Sequence, residues 1–150
     1  MPRVAETRAL PISLRDGFDY ITNVANWRTY WPHLLDIPEQ DRTSWAKPGD
    51  TARVVLEIRS RPVELKMELE QFEPYSLVTY SSTQEGLPPF HHERHFREKD
   101  GSLDYTLVIS FQPRSGLSAI VDRLFVARTV RGSLVETLDN LERIFRDRPP

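Results

Sequence analysis

Two periods divide the chain. From about Asp36 apolar and polar residues alternate with a period of two; after Pro113 the apolar residues recur at three- and four-residue steps. The first pattern predicts half-buried strands and the second an amphipathic helix. "TARVVLEI" puts Ala52, Val54, Leu56 and Ile58 on one face. "PVELKMELEQ" puts Val63, Leu65, Met67 and Leu69 on one face and Glu64, Lys66, Glu68 and Glu70 on the other. The turn "EPYS" leads into the strand "LVTYSSTQ", and "EGLPP" is a loop. "FHHERHFREK" and "SLDYTLVISFQP" flank Asp100-Gly101, a pair suited to a two-residue hairpin turn.

Upstream, Arg3 to Ile12 reads as a first strand. Ser13 is a candidate N-cap with Asp16 in the first turn of a short helix carrying Phe18, Ile21 and Val24. Asn26 is placed to cap a second short helix carrying Trp27, Tyr30 and Trp31, limited by Pro32. The closing helix carries Leu117, Ile120, Val121, Leu124, Phe125, Leu134, Val135, Leu138, Leu141, Ile144 and Phe145, with Ser115 or Ser118 as its cap. Gly132, mid-helix, marks either a bend or a tolerated weak point. This order predicts an α+β fold of about seven strands in a curved antiparallel sheet around one long C-terminal helix.

Composition narrows the function. At 150 residues the chain is read as one domain spanning 1–150. A net charge of −2 gives no electrostatic footprint for nucleic acid. No window is long enough to span a bilayer and no signal-like segment opens the chain, so a cytoplasmic protein without integral membrane association is expected. The absence of cysteine excludes disulfides, thiolate metal sites and a cysteine nucleophile.

Three of the four histidines fall in "FHHERHF", residues 90–96. The zinc-protease pattern His-Glu-x-x-His fails from either His91 or His92. On a strand His91 and His95 share a face but lie about 13 Å apart, at ~3.3 Å per residue. Zinc ligands sit about 2 Å from one ion, so no metal is expected. Pairing across Asp100-Gly101 sets Phe96 opposite Tyr105, Arg94 opposite Leu107 and His92 opposite Ile109. The partner strand buries Tyr105, Leu107, Ile109 and Phe111 by its own alternation, so His92, Arg94 and Phe96 point inward. His91, Glu93 and His95 then point outward. Arg94 in an apolar interior needs a carboxylate, a wet cavity or a ligand oxygen, since an unpaired buried guanidinium costs several kcal/mol. His92 is either a hydrogen-bonded core histidine or an acid/base group near a ligand.

"FDYITNVANWRTYWPHL", "KPGDTARVVLEI", "VELKMELEQFEPYSLVTYSS" and "LVETLDNLERIF", in this order, resemble the START/SRPBCC helix-grip superfamily and its polyketide cyclase/dehydrase-like branch. The resemblance implies a cavity between sheet and long helix that holds a polyketide- or lipid-like small molecule without a cofactor. The residues expected to line it are Trp31, Leu56, Met67, Tyr80, His92, Arg94, Phe96, Tyr105, Leu107 and Leu124. Two other functions stay open: a polyketide cyclase/aromatase using Arg94 and His92, and an interaction module like the chaperone activators of this fold. The inward arginine of the family's aromatic-polyketide cyclases lies on the strand that here reads "VELKMELEQ", which offers only the outward Lys66. The expected assembly is a monomer or a homodimer.

Overall fold

The computed structural model describes residues 2–38, 44–112 and 117–148, with side chains in the last stretch described from 124 onward. Strand β1 (Arg3–Leu10) is followed by helix α1 (Leu14–Thr22), a 3₁₀ turn (Val24–Asn26) and the one-turn helix α2 (Trp27–Tyr30). Strands β2 (Leu34–Asp36), β3 (Thr51–Ile58), β4 (Arg61–Glu73), β5 (Leu77–Thr83), β6 (Phe90–Lys99) and β7 (Ser102–Phe111) come next, then helix α3 (Leu117–Arg146). The seven strands form one antiparallel sheet in the order β1-β7-β6-β5-β4-β3-β2. This curled sheet grips α3 with its inner face, which is the helix-grip fold. Strand β2 is only three residues long, too short for an alternation to reveal.

The hairpin that fixes the central register has the expected turn. Asp100 and Gly101 take φ of 54° and 80°, both in the left-handed region that a two-residue hairpin turn requires. The register follows without a slip: Phe96 faces Tyr105, Arg94 faces Leu107 and His92 faces Ile109. Strand β4 carries one irregularity, between Leu69 and Gln71, that lets Phe72 continue inward opposite Val78.

The short helices are held by side chains. Ser13 Oγ accepts the Asp16 backbone N–H at 3.1 Å, the predicted cap of α1. Asn26 does not cap α2; its Nδ2 donates to the Tyr20 carbonyl at 3.1 Å, and Asn23 caps the 3₁₀ turn instead. The physical reason is that Asn26 already has helical dihedrals, which aim its side chain away from the α2 N–H groups. The Ile21 carbonyl at the end of α1 accepts from Trp27 Nε1 at 3.2 Å and from Tyr30 Oη at 2.8 Å. Those two aromatics are thus core anchors, and their polar tips satisfy an otherwise orphaned helix end.

Helix α3 buries Val126, Val130, Leu134, Leu138, Leu141 and Phe145. Arg8 on β1 donates to Asp139 at 2.8 Å and Glu142 at 2.9 Å, and Arg131 pairs with Glu6, so the helix is tied to the edge strand as well as to the core. Of the proposed caps, Ser118 lies inside the helix and Ser115 lies outside the described residues. No described helix is long and apolar enough to cross a membrane.

Candidate functional site

A cavity of about 570 Å³ lies between the inner face of the sheet and α3. Its floor is built by alternate residues of neighbouring strands: Leu65 on β4, Tyr80 on β5, Phe90, His92 and Arg94 on β6, and Leu107 and Ile109 on β7. Trp31 and Tyr30 close one side, and α3 contributes Val126, Val130, Leu134 and the chain's bare stretch at Gly132. At the mouth, the turn Arg59-Ser60 between β3 and β4 sits opposite Phe125, with the Arg59 guanidinium 4.3 Å from that ring. Both turn residues have positive φ, 53° and 63°.

Arg94 and His92 are each 7 % exposed, the two inward polar residues of β6. Arg94 Nη2 donates to Tyr80 Oη at 2.9 Å and Nη1 to Tyr30 Oη at 3.4 Å. Its carbon Cζ stands 5.1 Å from the Tyr80 ring and 5.9 Å from Trp31. Among the described residues no carboxylate pairs with it, and its Nε has no hydrogen-bond partner. The acids of the cavity wall are engaged or turned away: Glu93 pairs with His95 at 2.9 Å, Glu136 with His33 at 3.6 Å, and Glu57 is exposed. Burial opposes the Arg94 charge. The surrounding Tyr80, Tyr105 and Tyr30 outweigh that and lift its pKa above the ordinary arginine value. That attraction needs ionised phenols, which form only in alkali. Burial raises the Tyr30 phenol to about 12 and pushes Tyr105 up as well. At neutral pH Arg94 therefore remains a full cation that, among the described residues, sees phenol dipoles and no negative charge.

His92 is the opposite case. Burial, then the Arg94 charge, pull its pKa down to about 3, so it is neutral under ordinary conditions. Its ring stacks on Tyr80 at 4.3 Å and 7°. A chain of hydrogen bonds also settles its tautomer. The Pro88 carbonyl can only accept, and Gln84 Nε2 donates to it at 2.6 Å. Gln84 Oε1 is thereby turned to Ser82, whose hydroxyl donates to it at 3.1 Å. Ser82 Oγ then accepts from His92 Nε2–H at 2.9 Å. The remaining nitrogen, Nδ1, carries a lone pair that no described group occupies.

The outward half of "FHHERHF" behaves as a strand surface. His91 lies 3.2 Å from Glu70 and His95 2.9 Å from Glu93. Among the described residues there is no cluster of three or more metal-ligating groups.

Six of the ten residues predicted to line the cavity do so: Trp31, Leu56, Tyr80, His92, Arg94 and Leu107. Four do not. Phe96 and Tyr105 point inward but belong to packed core, because Phe18 of α1 stands 4.8 Å from Phe96, and Phe96 stands 4.9 Å from Tyr105. That end of the sheet is filled by α1, so the open space lies at the other end. Met67, 2 % exposed, is likewise core. Leu124 is 69 % exposed, since the buried stripe of α3 runs through Val126 and Val130, about 200° around the helix from it. Sequence reading missed Ser82 and Gln84. The available signal was their two-residue steps from Tyr80, Ser82 on the same strand and Gln84 just past its end.

Residues 1–146 match the family described as polyketide cyclase/dehydrase and lipid transport. The chain belongs to that family. No curated protein matches it in sequence. Among solved structures, the Zhui aromatase/cyclase from Streptomyces sp. R1128 is similar at a TM-score of 0.79 and 12% identity, covering 96% of this chain and 93% of its own. TTHA0849 from Thermus thermophilus is similar at 0.76 and 14% identity, with 97% of both chains covered. DynU16, a protein of the dynemicin biosynthetic locus, is similar at 0.72 and 13% identity over 98% of this chain; the chain spans about half of that protein, 48%. Likeness at these identities is likeness of fold. In this family member the inward cation sits on β6, while Lys66 on β4 is exposed.

Proposed function

We propose that this family member binds a hydrophobic or amphipathic small molecule, polyketide- or lipid-like, in the cavity between sheet and α3. The observation that carries this reading is an apolar cavity of about 570 Å³ with one buried cation, Arg94, in its wall. Burying ~300 Å² of apolar ligand surface yields about 7 kcal/mol at ~25 cal/mol/Å², before the costs of association. Arg94 and the Tyr80 phenol supply the polar contacts that orient the ligand, in the usual pattern of a mostly apolar pocket with few polar groups.

A cyclase is the second reading, with Arg94 polarising a ligand carbonyl. The low pKa of His92 speaks against that residue as the proton carrier at neutral pH, because so weak a base holds a proton poorly. An interaction module that works through its surface has no use for an open interior, so the cavity favours ligand binding over that reading. Titration with polyketides, lipids and flavonoids, followed by tryptophan fluorescence and melting temperature, tests the proposal. Trp31 lines the cavity and Trp27 packs 5.5 Å from it, so occupancy is expected to change the emission. A panel that moves neither signal removes the proposal.

A further inference from the structure

Among the described residues Arg94 has no counter-charge. Most buried arginines are matched by a carboxylate, because an isolated ion in a dry interior forfeits its hydration. Here the guanidinium is 7 % exposed, its described hydrogen-bond partners are two phenols, and its Nε has none. The Tyr30 phenol spends its own proton on the Ile21 carbonyl. Tyr80 Oη accepts from Arg94, and among the described residues nothing accepts its proton, so that O–H is a donor available at the cavity wall. One cation and one adjacent O–H donor thus converge on a space whose described carboxylates are paired or exposed. Charge balance and donor geometry ask for the same thing, an oxygen bearing negative charge.

We propose that the Arg94–Tyr80 corner is an oxyanion site, and that the cavity selects apolar molecules carrying one ionised oxygen group over their uncharged counterparts. This rests on the cavity being a ligand site and adds the charge state of the ligand. The shared chemistry is an anionic oxygen on an apolar body, whether carboxylate or the conjugate base of an enol or acidic phenol. Binding involves no covalent step: the ligand enters as its anion, and its oxygen accepts from Arg94 and from Tyr80.

The test uses pairs of probes with the same apolar body. 1-Anilinonaphthalene-8-sulfonate carries an anion, and N-phenyl-1-naphthylamine is the same skeleton without it. Decanoate against decanol repeats the comparison for a flexible carboxylate, and an alkylated nitrophenol, whose ionised form has its own absorbance, repeats it for a phenolate. The wild-type protein is expected to bind the anionic member of a pair about tenfold to a hundredfold more tightly, the scale of charge-assisted hydrogen bonds in a desolvated site. Arg94→Met is expected to erase or reverse the preference while the neutral probe still binds, and Arg94→Lys to keep part of it. Tyr80→Phe leaves the cation in place and is expected to reduce the preference severalfold; it serves even if the Arg94 variants fail to fold. Preference for the carboxylate pair alone, or the phenolate pair alone, identifies which source the site takes. Equal affinity for both members of every pair overturns the oxyanion site and leaves the cavity reading standing. Preference that survives in Arg94→Met and in Tyr80→Phe also overturns it. Failure of every probe to bind overturns both.

Discussion

Replacing Arg94 by methionine is expected to stabilise the empty protein. The guanidinium makes one good hydrogen bond, to Tyr80 at 2.9 Å, and one long one, to Tyr30 at 3.4 Å. A hydrogen bond involving a charged group is worth about 1.5–3 kcal/mol, and the long one less. The stacking on Tyr80 at 5.1 Å adds about 1–2 kcal/mol. Against these stands the loss of hydration, several kcal/mol for an ion buried without a counter-ion. The two sides nearly cancel. Methionine keeps the apolar stem, leaves both phenols with other outlets (Tyr30 at Ile21, Tyr80 at the cavity) and removes the ion. Exchange of buried ionic groups for apolar residues of similar volume is often neutral or favourable by about 1–4 kcal/mol. A gain of about 1–3 kcal/mol is expected here, and each kcal/mol raises Tm by roughly 2–4 °C for a chain of this size. Urea unfolding at neutral pH, with ligand-free protein, measures it. A loss of about 2 kcal/mol or more would refute the reasoning: Arg94 would then be a satisfied structural residue, with no unmet demand for an anion.

Other expectations follow from the same geometry. His92 is neutral in the fold, with its pKa lowered from 6.5 to about 3; unfolding lets it take up a proton, so its contribution is whole above about pH 6.5 and falls as pH drops toward 3. The slope is about 1.4 kcal/mol per pH unit, so wild type should lose about 2 kcal/mol more than His92→Phe between pH 7 and pH 5 in paired urea titrations; equal losses would sink this account. Nitrogen-15 NMR should find the proton of His92 on Nε2, and Gln84→Ala should admit the other tautomer, because Ser82 is then free to donate; an unchanged tautomer in that variant would dismiss the relay. The two helical glycines should respond in opposite directions. A Cβ on Gly17 meets Leu103 Cδ2 at 2.6 Å, so Gly17→Ala should lower stability by about 1–3 kcal/mol; a Cβ on Gly132 meets nothing within 4 Å, so Gly132→Ala should raise it by about 0.5–1 kcal/mol.

The inward direction of Arg94 and His92 was legible because Asp100-Gly101 admits one tight turn, and a tight turn fixes every pairing behind it. Alternation also found the inner faces of β3 and β4. What it cannot tell is which part of an inner face is covered. Phe96 and Leu107 share a face by alternation, yet Phe18 fills the space over one and leaves the cavity over the other. That distinction depends on where α1 lands, a contact between residues far apart in sequence. Leu124 went astray for a related reason. The helical period reveals that a stripe exists, but where that stripe meets the sheet is set by Val126 and Val130, which the sequence reading did not place on it. The Gln84–Ser82–His92 chain was hidden because it crosses from β5 and its following loop to β6, and only the folded register brings these together.

The sheet order carries a kinetic consequence. Within the sheet, strand β1 pairs with β7 alone, and Thr7 meets Thr106 across 99 residues. During synthesis the first strand must wait, with its hydrogen-bonding edge open, until nearly the whole sheet has left the ribosome. The hairpin β6–β7, closed by two residues, can form as soon as it emerges, and β1 is then the late arrival that completes the wall. Closing so long a loop costs chain entropy before any contact rewards it, which slows folding. A charged, alternating β1, with Arg3, Glu6 and Arg8 along it, suits a strand that spends that interval uncovered.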